Sequence, residues 1–283
     1  MKYISATKGA GIAFVVFSFA YIYTPIDIIE LPGTEVILTI STFLFAIISG
    51  FFISRLSTRF DNIRSLVAQE DALLLCIYKT SQFFGIAFSK KIASLIDRYY
   101  IEAYDAPLSP DVYLRNAPIY LSMWDEIRKL KKQKSDALLE TYMGQLQDLE
   151  ISRNTSSVVA RENMGFGHWT ILIILVFIIL ISLSILRTEE LTSTMISILF
   201  SSSLILILLI MRDLQNLMLG GKQIVEESGQ EVLAFVGKKQ YYNKYLVKQG
   251  ISSIPKGINE YRLGLHKPGA EKKEIIIVKT KKK

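Results

Sequence analysis

The sequence predicts an all-α integral membrane protein with four transmembrane helices and a cytoplasmic helical domain. Three observations carry this. Half of the 283 residues are hydrophobic and the mean hydropathy is +0.32, high for a chain that stays in water. The charged residues, 21% of the total, are segregated from four long uncharged runs. Between the second and third runs, apolar residues recur at the 3–4 spacing of a helix.

The first run, Gly9 to Ile26, follows Lys2 and Lys8. A signal peptide is the alternative reading, but Tyr21-Ile-Tyr-Thr-Pro25 offers no small-x-small cleavage site and another span comes soon after. The run is therefore read as a transmembrane helix ending near Pro25. Leu31-Pro-Gly-Thr34 is a tight turn. The second run, Val36 to Ser54, has 19 residues and no charge. At about 1.5 Å per residue it spans about 28 Å, one hydrocarbon core. Arg55, Arg59 and Arg64 follow at once. Phe43, Ile47 and Phe51 recur at i, i+4 and i+8 and share a helix face, with Arg55 next in the series. Copies meeting around an axis would present apolar rings and then a positive ring.

The middle segment is helical in pattern. Ile63, Leu66, Val67, Leu74 and Ile77 form an apolar stripe that contains Glu70. A carboxylate there needs a basic or hydrogen-bonding partner, so Glu70 is a candidate structural ion pair, with ion binding the alternative. Ala106-Pro-Leu-Ser-Pro110 breaks the helices, and Pro118 can cap the next one. Ser122 to Met164 reads as one long helix. Its run Arg128-Lys-Leu-Lys-Lys-Gln-Lys134 is a solvated face or a contact for anionic lipid. Gly165-Phe-Gly167 lets the chain bend into the third span.

The last two runs, Trp169–Leu186 and Leu191–Met211, are separated by Arg187 to Glu190 and form a membrane hairpin. The chain then stays amphipathic through Tyr242, with a break at Gly220-Gly221. Glu260 to His266 and Glu274 to Lys279 have strand character around Lys267-Pro-Gly-Ala270, a hairpin signal. The lysine-rich stretch from Lys279 is expected to be disordered. The domain reading is thus a first transmembrane hairpin (1–54), a cytoplasmic helical domain (55–168), a second hairpin (169–211), a cytoplasmic extension (212–245) and a basic tail (246–283).

Charge sets the expected orientation. Residues 27–35 hold no Lys or Arg, whereas Lys8, Arg55, Arg59, Arg64, Arg153, Arg161 and Arg212 flank the opposite ends. The positive-inside rule then places both termini and the middle segment in the cytoplasm, with the protein expected in the cell inner membrane. Residues 55–168 hold 15 basic and 14 acidic side chains, and residues 212–283 hold 15 and 7. The excess positive charge sits in the tail, where anionic lipid is an expected partner.

Catalytic chemistry is not expected. His168 and His266 stand 98 positions apart with one cysteine elsewhere, so no zinc or di-metal spacing can be built. No Walker A loop, GxGxxG or GxSxG occurs. No metal, cofactor or nucleic-acid partner is expected. Cys76 cannot form an intrachain disulfide and reads as a small buried apolar residue. A transporter lacks the intramembrane charge and inverted repeat it would need.

Gly50-Phe-Phe-Ile53 and Arg59-Phe60 resemble the second helix of the bestrophin anion channels. The wider pattern resembles the bestrophin-like domain family over residues 10–242. Its pieces are Val67-Ala-Gln-Glu70 with Tyr78, Arg98-Tyr99, Arg153 upstream of Trp169, and Asp213-Leu-Gln-Asn216 leading to Gly220. The resemblance implies a bestrophin-like fold: four membrane helices per subunit, a cytoplasmic helical part and a homopentamer with an axial pore. It implies that Phe43, Ile47 and Phe51 line the pore neck. Arg55 departs from the family, which has an apolar residue there, and would stand at the pore mouth. Asn216-Leu-Met-Leu-Gly-Gly-Lys222 lacks the family's acidic calcium-binding run, so calcium gating is not carried over. The expected function is an anion-conducting channel. The alternative is a non-conducting membrane-anchored scaffold in which the same residues pack helices.

Overall fold

The computed structural model describes residues 3–23, 32–105, 112–130, 136–219, 222–223 and 227–279. The elements in chain order are α1 (Ala6–Tyr23), α2 (Thr34–Gln82), α3 (Ile86–Asp105), α4 (Val112–Arg128), α5 (Asp136–Arg161), α6 (Phe166–Ile185) and α7 (Leu191–Gln215). They continue as β1 (Met218–Leu219), β2 (Lys222–Gln223), α8 (Glu227–Phe235), β3 (Tyr241–Asn243), α9 (Lys244–Gln249), β4 (Glu260–Gly264) and β5 (Ile275–Lys279). Two compact units result. The membrane unit is Ile4–Phe60 with Asn163–Gly221, and the other is Met1–Tyr3, Asp61–Glu162 and Lys222–Lys283.

The four expected spans are present. α1, α2, α6 and α7 are long and apolar enough to cross a membrane. Some of their polar groups meet one another across helices, while Ser18, Thr39 and Ser203 bond back to carbonyls of their own helix. The Tyr21 hydroxyl lies 2.9 Å from Ser201 Oγ, joining α1 to α7. A Cβ on Gly9 would come within 2.6 Å of Leu209 Cδ1, so the missing side chain allows a close approach of those two helices. At the start of α1, Ala6 N–H donates to Asp213 Oδ2 at 2.9 Å, and Asp213 Oδ1 also accepts from Arg212 at 2.7 Å. A carboxylate at a helix N-terminus takes up an otherwise unpaired N–H. Arg187 donates to the Tyr21 carbonyl and lies 5.3 Å over the Tyr21 ring.

α2 is a single helix of 49 residues, more than twice what a bilayer needs. The uncharged run Val36–Ser54 lies in its first half, within the membrane unit; from Asp61 onward it belongs to the other unit. The core of that unit gathers Leu74 and Ile77 of α2, Ile92 and Ile96 of α3, Met123 of α4, Leu146 and Leu149 of α5, and Leu233 of α8. Cys76 is exposed, not buried as the sequence reading held. Its neighbours Leu74 and Ile77 point inward, and at about 100° per residue Cys76 turns away from both.

Three further expectations are corrected. Residues 122–164 are not one helix: α4 ends at Arg128, where Lys129 and Leu130 N–H bond back three residues to Glu126 and Ile127. Such bonds tighten a final turn, and α5 starts at Asp136. Pro118 does not cap a helix but lies inside α4. The carbonyl its ring leaves unbonded belongs to Leu114, which is exposed, so water can reach it. The extension after α7 is not helical throughout, since it holds β1, β2 and β3 between short helices. The expected breaks at 106–110 and 220–221, the loop residues 27–31, and much of the Arg128–Lys134 and Lys279–Lys283 runs lie outside the described residues.

The hairpin read from Lys267-Pro-Gly-Ala270 is present. β4 and β5 pair antiparallel, with Glu260 opposite Lys279 and Gly264 opposite Ile275. β3 pairs parallel to β4, giving a sheet ordered β3-β4-β5. Three-residue β3 carries too little pattern to be read from sequence.

Candidate functional site

α2 has two faces within the membrane unit. Phe45, Ser49, Phe52, Leu56 and Phe60 are buried, Phe45 to 3% exposure. Phe43, Ile47 and Phe51 are 65%, 54% and 64% exposed on the other side. The alternation follows from the helical period, since residues two apart point in nearly opposite directions. Each four-residue step overshoots a turn by about 40°, so the series rotates as it climbs. Arg55 is still exposed, and one step further Arg59 is buried. The sequence reading grouped these two arginines; the structure buries one and leaves the other exposed.

Arg59 fixes the rotation of α2. Its Nη1 donates to the Gln215 carbonyl at 2.9 Å, at the C-terminal end of α7, where a cation is favoured. The Gln215 side chain accepts from Trp169 Nε1 at 2.8 Å. Phe52 packs on the His168 ring at 4.8 Å, and His168 Nδ1 accepts from Gly165 N–H at 3.2 Å. α2, α6 and α7 are thus tied at one level. The apolar face of α2 is left without a partner from the described residues of its own unit.

A second polar constellation lies in the other unit. Glu70 of α2 accepts from the Tyr99 hydroxyl of α3 at 2.6 Å, and Arg153 of α5 donates to that same hydroxyl at 3.0 Å. The Arg153 guanidinium also lies 4.7 Å over the Tyr120 ring of α4. The partner of Glu70 is therefore a phenol, with the arginine beyond it. Burial pushes the Glu70 carboxyl up to about 7, against the pull of Tyr99 and Arg153. Beside it, Asp71 accepts from Tyr100 at 2.6 Å and from Ser228 of α8, and burial raises its carboxyl to about 6.

These shifts set a pH dependence. Glu70 rises from an ordinary 4.5 to about 7, so the folded state holds the proton more tightly than the unfolded one. Its contribution is fully present below pH 4.5 and is lost as pH rises through 7, a change of about 3 kcal/mol. Asp71 acts in the same direction between 3.8 and 6. Amide protection factors in α3 and α5 should fall from pH 5 to pH 8, and Glu70→Gln should flatten the fall. An equally steep fall in Glu70→Gln would contradict this role.

The third constellation was not read from the sequence. Asp105, at the end of α3, is fully buried and accepts from the Tyr241 hydroxyl at 2.6 Å and from Asn243 Nδ2 at 2.8 Å. Its Oδ2 lies 2.6 Å from His266 Nε2 and from Lys273 Nζ. Burial pushes this carboxyl up, but Lys273, Tyr241, Asn243 and His266 together hold it below its ordinary value. Arg262 of β4 forms a two-pronged pair with Asp97 of α3, at 2.9 and 2.5 Å. The described part of the basic tail is thus bolted to α3 through Arg262, His266 and Lys273. Among the described residues, no three His, Cys, Asp or Glu side chains are placed to hold a metal ion.

A family model described as Bestrophin-like domain matches residues 33–228. Among solved structures, a crystal structure described as "a membrane protein G264A" is similar, with a TM-score of 0.57 and 14% identity. The similarity covers 81% of this chain and 96% of that one, and at this identity it speaks for the fold alone. No curated protein matches the chain.

Proposed function

The chain belongs to the bestrophin-like domain family, and we propose that it assembles as a homopentameric, anion-conducting channel with Phe43, Ile47 and Phe51 as its neck. Arg55 stands at the cytoplasmic mouth. The observation that carries the reading is the open apolar face of α2, held outward by the Arg59–Gln215–Trp169 tie. Rings of such residues resist wetting and gate ions, while a ring of arginines lowers the energy of an anion. The proposed neck has no catalytic group and needs none.

One observation favours a second reading. Phe19, Phe177 and Ile196 on the other spans are as exposed as the neck residues. A scaffold whose whole apolar surface meets lipid would look the same in one subunit. Chloride flux from proteoliposomes of the purified protein separates the two. The channel reading expects flux that scales with protein per vesicle, and protein that is folded and oligomeric but silent refutes it.

In this reading both termini are cytoplasmic. Single cysteines at Pro32 and Ser135, in a Cys76→Ser background that removes the exposed native thiol, should label from opposite sides of intact cells. Pro32 is preferred to Gly33, whose φ of +89° would strain a cysteine. Labelling of Ser135→Cys from outside would overturn the orientation.

A further inference from the structure

The β3-β4-β5 sheet has two edges, and they are finished differently. The β3 edge is closed by a side chain. Gln230 of α8 accepts from Tyr241 N–H at 2.9 Å and donates to the Tyr241 carbonyl at 2.6 Å, so its amide stands where a neighbouring strand would be. Among the described residues, nothing does this for β5. Leu265 N–H donates to the Glu274 carbonyl at 2.8 Å, in register with the β4–β5 pairing. Backbone groups alternate sides along an antiparallel strand. Ile276 and Val278 therefore bond toward β4, and Ile275, Ile277 and Lys279 turn their N–H and C=O groups to the open edge.

This edge is unlike one built to stay alone. Ile275-Ile-Ile-Val-Lys279 is β-branched at four positions and free of Pro and Gly; of the devices that usually blunt an edge it carries the charge of Lys279, at its end. Ile276 and Ile277 are 42% and 57% exposed and lie on opposite faces, so an added strand would find an apolar neighbour on either side. Residues 271–283 carry six lysines and two glutamates, with Lys272 and Lys279 exposed. That charge repels a second β5 and attracts acidic flanks.

We propose that the open edge of β5 is a docking site for an extended strand of another protein, apolar at its centre and acidic at its ends. Backbone bonds to Ile275, Ile277 and Lys279 would supply the affinity, and the lysines the choice of partner. The inference stands whether or not the protein conducts ions.

The test uses the full chain in zwitterionic detergent and a fluorescent peptide, Glu-Asp-Val-Thr-Val-Thr-Val-Asp-Glu, followed by anisotropy. Binding should saturate and weaken with salt. The same peptide with proline for its central valine should bind about tenfold more weakly, the scale of one lost net hydrogen bond. Ile277→Pro removes an N–H that the β4 ladder does not use, so it should also lose about tenfold, while Ile277→Val keeps wild-type binding. Equal binding by wild type and a folded Ile277→Pro overturns the proposal. If that variant does not fold, amide exchange of the wild-type protein decides. Peptide-induced protection at Ile275, Ile277 and Lys279 supports strand addition, and unchanged exchange there overturns it. Equal binding of the proline peptide, matched by binding to phosphatidylserine vesicles, would return the lysines to lipid contact and also overturn it. So would association of oligomers through β5 that Ile277→Pro abolishes, which would assign the edge to a second copy.

Discussion

Replacing Phe43, Ile47 and Phe51 together with alanine is expected to raise single-channel conductance while leaving the subunit folded. The three side chains are exposed in the subunit, so truncation opens no cavity within it. In the proposed assembly they close the narrowest part of the path. Removing them widens and wets the neck, and each ~1.4 kcal/mol taken off an ion's barrier raises its passage about tenfold. Discrimination by the constriction should fall at the same time. Phe45→Ala is the control from the opposite face. Phe45 is buried, so its loss should cost roughly 3–5 kcal/mol of stability and open no path. Helix-packing residues would behave otherwise, and a triple variant that loses its oligomer and gains no flux would favour the scaffold.

Asp105→Leu should release the β4–β5 hairpin from α3. The substitution leaves Lys273, His266, Tyr241 and Asn243 facing an apolar side chain. Breaking a buried charge cluster by removing one partner costs roughly 3–5 kcal/mol. With two compact units a single unfolding free energy is not well defined, so the readout is local. Amide exchange should speed up across residues 260–264 and at Ile276 and Val278, and stay slow in α6 and α7. Acid should do the same to the wild type. Asp105 is held below its ordinary value of 3.8, so its stabilisation is present above that value and is lost as pH falls beneath it. Uniform exchange changes throughout the chain, or none, would contradict the bolt.

What could be read from the sequence was local in the chain. The spans follow from runs of one composition, and the open face of α2 from one helical period over 43–51. The hairpin at 267–270 was legible because a Pro-Gly turn and its two strands lie side by side. The bolt at Asp105 was not, since its donors lie 136 to 168 positions away and no spacing links them. Asp71 was missed for the same reason: Ser228 reaches it across 157 positions. Glu70 was marked by its place in an apolar stripe, but that its partner is Tyr99 needed the packing of α2 on α3. The burial of Arg59 could have been found by following the 40° drift one step past Arg55.

In the proposed channel the open face of α2 lines an ion path with Arg55 at its mouth. The most direct test is the reversal potential under a chloride gradient, in planar bilayers, for wild type and Arg55→Glu. The wild type should reverse near the chloride equilibrium potential, and Arg55→Glu should shift toward the cation's, because the local field changes sign along the path. Wild type and variant that both conduct and reverse at one potential would remove Arg55, and the face it continues, from the path.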